Sequence, residues 1–360
     1  MSDTLGVMEY KKQLGSLMET ALAQGASDVH LIAGNRPVIR VAGALTQLLS
    51  ENMLADADMN GLIGEMLTPE QKKYFLDTKE FDFSWTYEQK ARFRGNAYFE
   101  RGGIGIALRL IPQQILTLAE LNLPPVLETF ASREQGFFLV VGPVGQGKTT
   151  TLASLLELIN QTRTEHIITI EDPIEFLFEN KKSIIDQREV RIDTADFSTA
   201  LQSIFRQDAD VIMVGEMRTP DTIATAVTAA ETGHLVFSTL HTNNAAQTID
   251  RIIDSFPAAQ QDQIRMQLAG SLMGIFSQRL IPRIAGGLLP VYELMINNNA
   301  VANLIREKRT HELQTVIETG TEDGMIDMNR SLAELVRAGE ITVESAYARS
   351  WDPKTLERLL

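Results

Sequence analysis

Residues 137–149 read Phe137-Phe-Leu-Val-Val141-Gly142-Pro143-Val144-Gly145-Gln146-Gly147-Lys148-Thr149, with Thr150 next. Five apolar residues lead into a glycine loop. The loop opens a segment with Leu152, Leu155, Leu156 and Ile159 at helical spacing. Strand, glycine loop and helix together are the context that the phosphate-loop pattern G-x-x-x-x-G-K-[ST] requires. Glycines let the backbone curl so that successive N–H groups face phosphate oxygens, and the helix N-terminus adds partial positive charge. Residues Gly142 to Thr150 are therefore the expected nucleotide-binding residues. Lys148 is expected at the β- and γ-phosphates, and the Thr149 hydroxyl at Mg²⁺.

Working outward, short apolar runs at Phe137–Val141, His166–Ile170, Val211–Val214 and Leu235–Leu240 alternate with helical patterns. Such runs between amphipathic helices predict a parallel sheet covered on both faces. Asp196 is the expected cap of a helix with Phe197, Leu201, Ile204 and Phe205 on its apolar face. Thr219-Pro220 opens another helix, which Gly233 closes. From about residue 258 the pattern becomes mainly helical.

Before the loop, a helix over 5–24 precedes strands at Asp28–Ile32 and Val38–Val41. Helices at about 56–67 and 69–77 follow, the second capped by Thr68 with Pro69 behind it, then strands at Phe81–Tyr87, Arg92–Phe99 and Ile104–Leu110. These patterns predict an α/β N-terminal domain at 1–111, a linker at 112–123 containing Pro112, and a second domain at 124–360.

The bulk numbers exclude several classes. No apolar run approaches a membrane span, and the N-terminus lacks the charged-then-apolar pattern of a secretory signal. The chain has no cysteine, which excludes disulfides and thiolate zinc sites and fits the cytosol. A net charge of −14 argues against nucleic acid as the main partner.

Four further stretches fall near strand ends, where ligands of such sheets bind. They are Thr169-Ile-Glu171-Asp172-Pro173-Ile-Glu175, Asp210-Val-Ile-Met-Val-Gly215-Glu216, Gly233-His234-Leu-Val-Phe-Ser238-Thr239-Leu-His241, and the arginine set Arg94, Arg101 and Arg109. Phosphoryl transfer to water needs a metal, a group that orients the water, and cations at the γ-phosphate. Glu171 and Glu216 can supply the general base and the metal contacts made through water, and His241 can sense the γ-phosphate. Arginines on a strand face are usually solvated, so their spacing alone assigns them nothing.

Taken in order, the phosphate loop, the Glu171 box, the Val-Gly-Glu strand end and the Thr232-Gly-His-Leu-Val-Phe-Ser-Thr-Leu-His241-Thr box resemble the secretion ATPase superfamily. Within it, the chain is most similar to the type IV pilus retraction (twitching motility) ATPases. Gly25-Ala-Ser-Asp28-Val-His30-Leu, Phe205-Arg206-Gln-Asp and Asn303-Leu-Ile-Arg306-Glu307 extend the likeness over nearly the whole chain.

The resemblance implies a PAS-like N-terminal domain and a RecA-like P-loop ATPase domain with a helical C-terminal part. It implies ATP and Mg²⁺, and a cytoplasmic homohexamer docked at the inner-membrane base of the pilus machine. An inner-membrane platform protein is the implied partner, with room for a paralogous pilus ATPase; no nucleic acid and no membrane insertion are expected. Neighbouring subunits of such rings contribute arginines, which makes Arg94, Arg101 and Arg109 stabilisers of phosphate charge. Gly215 occupies the usual acidic position, so Glu216 joins the Mg²⁺–water network and Glu171 orients the water, and the exchange of these two roles stays open.

Gln146 stands where the family more often has Ser, and Thr149 replaces a common Ser. The box Ala300-Val301-Ala302-Asn303-Leu304-Ile305-Arg306-Glu307 lacks the arginine that retraction motors often carry before the asparagine, which leaves an accessory retraction ATPase as the alternative. An extension or secretion motor typically carries a tetracysteine zinc insertion, so zero cysteines count against it. A nucleic-acid translocase conflicts with the acidic charge, and a catalytically dead regulator with the intact Lys148, Glu171, Glu216 and His241.

Overall fold

The computed structural model describes residues 2–41, 43–88, 90–111 and 114–360. Pro112 of the expected linker lies outside the described residues. The chain divides into two compact units, Met1–Gln114 with Pro173–Leu177, and Ile115–Asp172 with Phe178–Leu360.

The first unit runs α1 (Ser2–Ala23), β1 (Ala26–Ile32), β2 (Val38–Val41), β3 (Ala44–Gln47), α2 (Asp56–Met66), α3 (Pro69–Thr78), β4 (Glu80–Tyr87), β5 (Ala91–Glu100) and β6 (Gly103–Ile111). Its antiparallel sheet has the order β3-β2-β1-β6-β5-β4. Alternation along β5 buries Phe93 and Ala97 and turns Arg92, Arg94 and Asn96 outward, as the period of two dictates. Leu17, Met18, Leu62, Ile63 and Phe75 of the helices pack on Val29, Phe93 and Ile106 of the sheet. Thr68 caps α3 as expected: its hydroxyl accepts from Gln71 N, while Gln71 Oε1 accepts from Thr68 N. The sequence reading passed over β3, since all four of its residues are exposed and carry no hydrophobic alternation.

In the second unit, α4 (Leu127–Ala131) and β7 (Gly136–Val141) lead into α5 (Lys148–Thr162). There follow β8 (His166–Glu171), β9 (Ile184–Glu189), α6 (Phe197–Ile204), β10 (Val211–Val214), α7 (Pro220–Glu231), β11 (Leu235–Leu240), α8 (Ala245–Asp254) and α9 (Ala258–Ser271). A hairpin, β12 (Leu272–Pro282) and β13 (Leu288–Ile296), precedes α10 (Asn299–Arg306), α11 (Leu313–Thr319), α12 (Met328–Arg337), α13 (Val343–Arg349) and α14 (Pro353–Leu359). The sheet order is β13-β12-β7-β11-β10-β8-β9, parallel except for β13. Both faces are covered. Phe137, Leu139 and Val141 of β7 join one core with α6 to α11, while Phe138 and Val140 join the other with α4 and α5.

The expected parallel sheet between helices is therefore present, and the chain beyond 258 is helical for most of its length. It also contains the β12–β13 hairpin, which the reading of that region as helical did not place. Asp196 caps α6 by accepting from Thr199 N, but Phe205 lies past the helix end, 42% exposed, with its ring edge-on to His234. Its assignment to the apolar face is corrected, because the helix stops at Ile204 before Phe205 can turn inward.

Candidate nucleotide site

The phosphate loop leaves β7 at Gly142, whose φ is +147°. A Cβ here would stand 2.3 Å from the Gln278 carbonyl oxygen, so only glycine permits this approach to β12. Gly145 and Gly147 are also left-handed, at +75° and +77°, and Gly147 caps α5. The curl these glycines allow brings the start of α5 to the mouth of the loop, where its first N–H groups have no intrahelical acceptor.

Lys148 is nearly buried, and its Nζ donates to the carbonyls of Gly142 at 2.9 Å and Pro143 at 2.8 Å. The same Nζ is 3.3 Å from Nδ1 of His241. An ammonium can only donate, so Nδ1 is the acceptor and the imidazole proton sits on Nε2. That Nε2 points to Glu216 Oε2 at 3.5 Å, and Oε1 of Glu216 meets Arg218 Nη2 at 2.6 Å. Lys148, His241 and Glu216 thus form one line across three strand ends, those of β7, β11 and β10.

Hydroxyls on β11 hold that line in place. Ser238 Oγ donates to the Val214 carbonyl at 2.7 Å, and Thr239 Oγ1 to that of Gly215 at 2.6 Å. A Cβ on Gly215 would make a tight contact, 3.1 Å from the Ile170 carbonyl oxygen. The carboxylate stands one residue later, at Glu216. At the end of β8, buried Glu171 accepts from Thr169 Oγ1 at 2.7 Å and Gln187 Nε2 at 3.0 Å, both through Oε1.

Two residues of the site, Gln278 and Gln187, escaped the sequence reading. Gln278, buried on β12, donates through Nε2 to the Gln146 carbonyl at 2.8 Å and accepts from Thr151 Oγ1 at 2.6 Å. Gln146 Oε1 in turn accepts from Leu280 N at 2.8 Å, so the residue that departs from the family's usual Ser fastens the loop to β12. Gln187 belongs to the polar edge strand β9. The detectable signal was a Ser-Gln-Arg break at 277–279 inside an apolar run.

The three arginines stand on the first unit. Arg94 and Arg109 are directly opposite each other on β5 and β6. Two like charges so placed repel, and carboxylates offset them: Arg109 Nε meets Asp28 Oδ1 at 2.9 Å, and Arg94 Nη1 meets Glu175 Oε1 at 3.5 Å. Arg101 is in the left-handed turn between the strands, φ +50°, its side chain 92% exposed and 3.7 Å from Glu100.

The glycine cradle, the lysine at its base and the carboxylates beside it fit a nucleoside triphosphate with Mg²⁺. Residues 6–287 match the model of the type II/IV secretion system protein family. The chain belongs to that family. Among the relatives of this family member, the Pseudomonas aeruginosa type IV pilus retractation ATPase PilT is 44% identical over 338 residues, 94% of this chain and 98% of the relative. A twitching motility protein of Neisseria gonorrhoeae is 43% identical, covering 95% of this chain and 91% of the relative. The P. aeruginosa type IV pilus ATPase PilU is 38% identical, covering 95% and 89%. The crystal structure of the pilus retraction motor PilT with bound ADP matches with a TM-score of 0.90 at 43% identity, covering 96% of this chain and 98% of that one.

Proposed function

We propose that this secretion-family protein is a PilT-like motor ATPase, working as a homohexamer, that hydrolyses ATP to power retraction of a type IV pilus. The observation that carries the reading is the Lys148–His241–Glu216 line at the mouth of the phosphate loop. The identity to PilT over almost the full length of both chains supports the same conclusion.

In this reading Gly142 to Thr150 cradle the phosphates, and Lys148 exchanges its loop carbonyls for phosphate oxygens. Thr149 and Glu216 would hold Mg²⁺, Glu216 through water, and the ion would neutralise charge on the phosphates. Glu171, buried and fixed by Thr169 and Gln187, orients the attacking water. His241, between Lys148 and Glu216, reports the γ-phosphate to both. Arg94, Arg101 and Arg109 supply cations to a neighbouring subunit's nucleotide. Hydrolysis then drives movement that turns an inner-membrane platform protein above the ring. In this reading the ring docks at the membrane from the cytoplasm; no helix among the described residues is long and apolar enough to cross one.

One observation favours the accessory, PilU-like variant: position 302, where retraction motors often carry arginine, is Ala302, 8% exposed on α10. Imaging labelled pili in cells lacking the gene, complemented with wild type or Lys148→Ala, separates the two. Pili that extend and never retract without wild type identify the primary motor. Retraction that persists with lower force identifies the accessory, and loss of pili altogether refutes a retraction motor.

A further inference from the structure

Glu293 on β13 is 0% exposed, yet no step of the proposed hydrolysis uses it. Its Oε1 accepts from Ala245 N at 2.9 Å, and Ala245 is the first residue of α8. The residues between Ala245 and His241 belong mechanically to that helix. Asn244 caps it by accepting from Gln247 N, Asn243 N donates to Gln247 Oε1 at 3.2 Å, and the Thr242 hydroxyl meets that of Thr248 at 2.7 Å. The loop from His241 is therefore fastened to α8, and Glu293 ties the start of that helix to β13, beside the bond from Arg279 of β12 to Asn243 Oδ1.

We propose that Glu293 is a positioning residue that holds His241 in line with Lys148 and Glu216; this rests on the reading of His241 as the γ-phosphate sensor. A neutral glutamine would also accept from Ala245 N without the cost of a buried charge. The acid adds the charge-assisted bond that a helix N-terminus favours. Burial pushes the Glu293 carboxyl up to about 7, with Asp327 at the start of α12 and Glu318 on α11 adding to it and the Ala245 N–H opposing it. Ser277, directly opposite on β12, faces the carboxylate without meeting hydrogen-bond geometry. Arg279, two residues along β12, is engaged with Asn243 Oδ1 at 3.1 Å. Near neutral pH the anchor therefore changes between its charged and neutral forms, and the grip on the His241 loop changes with it.

The test is phosphate release from the full chain between pH 5.5 and 8.5. Glu293→Gln should lower kcat about tenfold at pH 8, as a small misplacement of a catalytic group does. It should leave KM for ATP within about twofold and remove the inflection expected of wild type near pH 7. Thr248→Val, which loosens the same loop from the helix side, should lower kcat with KM and the inflection kept. Wild-type kcat in Glu293→Gln overturns the proposal, as does an inflection that survives it and disappears only in His241→Gln. Wild-type turnover in His241→Gln refutes the sensor role itself, and with it the need for a positioning residue.

Discussion

Replacing Glu293 by Gln should change how folding stability depends on pH. The folded carboxyl is raised to about 7 from an ordinary 4.5. Between those values the native chain keeps a proton that the unfolded chain has released, so native stability falls as pH rises through the window and levels off above 7. A difference of about 2.5 pH units at 1.36 kcal/mol each makes the total about 3 kcal/mol. Gln cannot ionise, so the stability of Glu293→Gln relative to wild type should rise by about 3 kcal/mol between pH 4.5 and pH 8. Any constant offset from the amide's unpaired donors cancels in that comparison. The protein has two tryptophans, Trp85 in the first unit and Trp351 in the second, so a Trp85→Phe background leaves Trp351 to report on the unit that holds Glu293. Urea midpoints should separate by about 1 M across the window, taking a slope near 3 kcal/mol/M. Parallel pH profiles for wild type and Glu293→Gln would refute the reasoning, since they would mean that the carboxylate is not desolvated.

Other substitutions probe the loop and the arginines. Gly142→Ala, whose Cβ would lie 2.3 Å from the Gln278 carbonyl, should abolish binding of a fluorescent ATP analogue. Gly286→Ala, also at positive φ but with no atom within 4 Å, should cost about 1 kcal/mol in chemical denaturation and leave binding intact. Gln278→Ala removes the ties to Gln146 and Thr151, and KM for ATP in phosphate-release assays should rise about tenfold, worth about 1.4 kcal/mol. Arg101→Ala should shift the urea midpoint by less than the equivalent of about 0.5 kcal/mol, its side chain being 92% exposed, while phosphate release by the proposed hexamer falls at least about a hundredfold.

Much of this protein is local chemistry and was legible as such. The phosphate loop is a backbone conformation written in glycines, and the strands beside it are buried on both faces, so apolar runs such as Phe137–Val141 and Leu235–Leu240 mark them without any knowledge of partners. Caps at Thr68, Asp196 and Thr219 depend on residues three apart. Tertiary structure alone decided the rest. β3 is exposed along its whole length and β9 buries only Glu189, so their sequences carry no hydrophobic period. The β12–β13 hairpin follows a helix in a stretch that reads as helical. Its place beside β7, more than a hundred residues earlier in the chain, is what brings Gln278 to the phosphate loop and Glu293 to the start of α8. Contacts between segments so far apart depend on how the sheet is ordered, and sheet order is a property of lateral pairing that no single stretch of the chain contains.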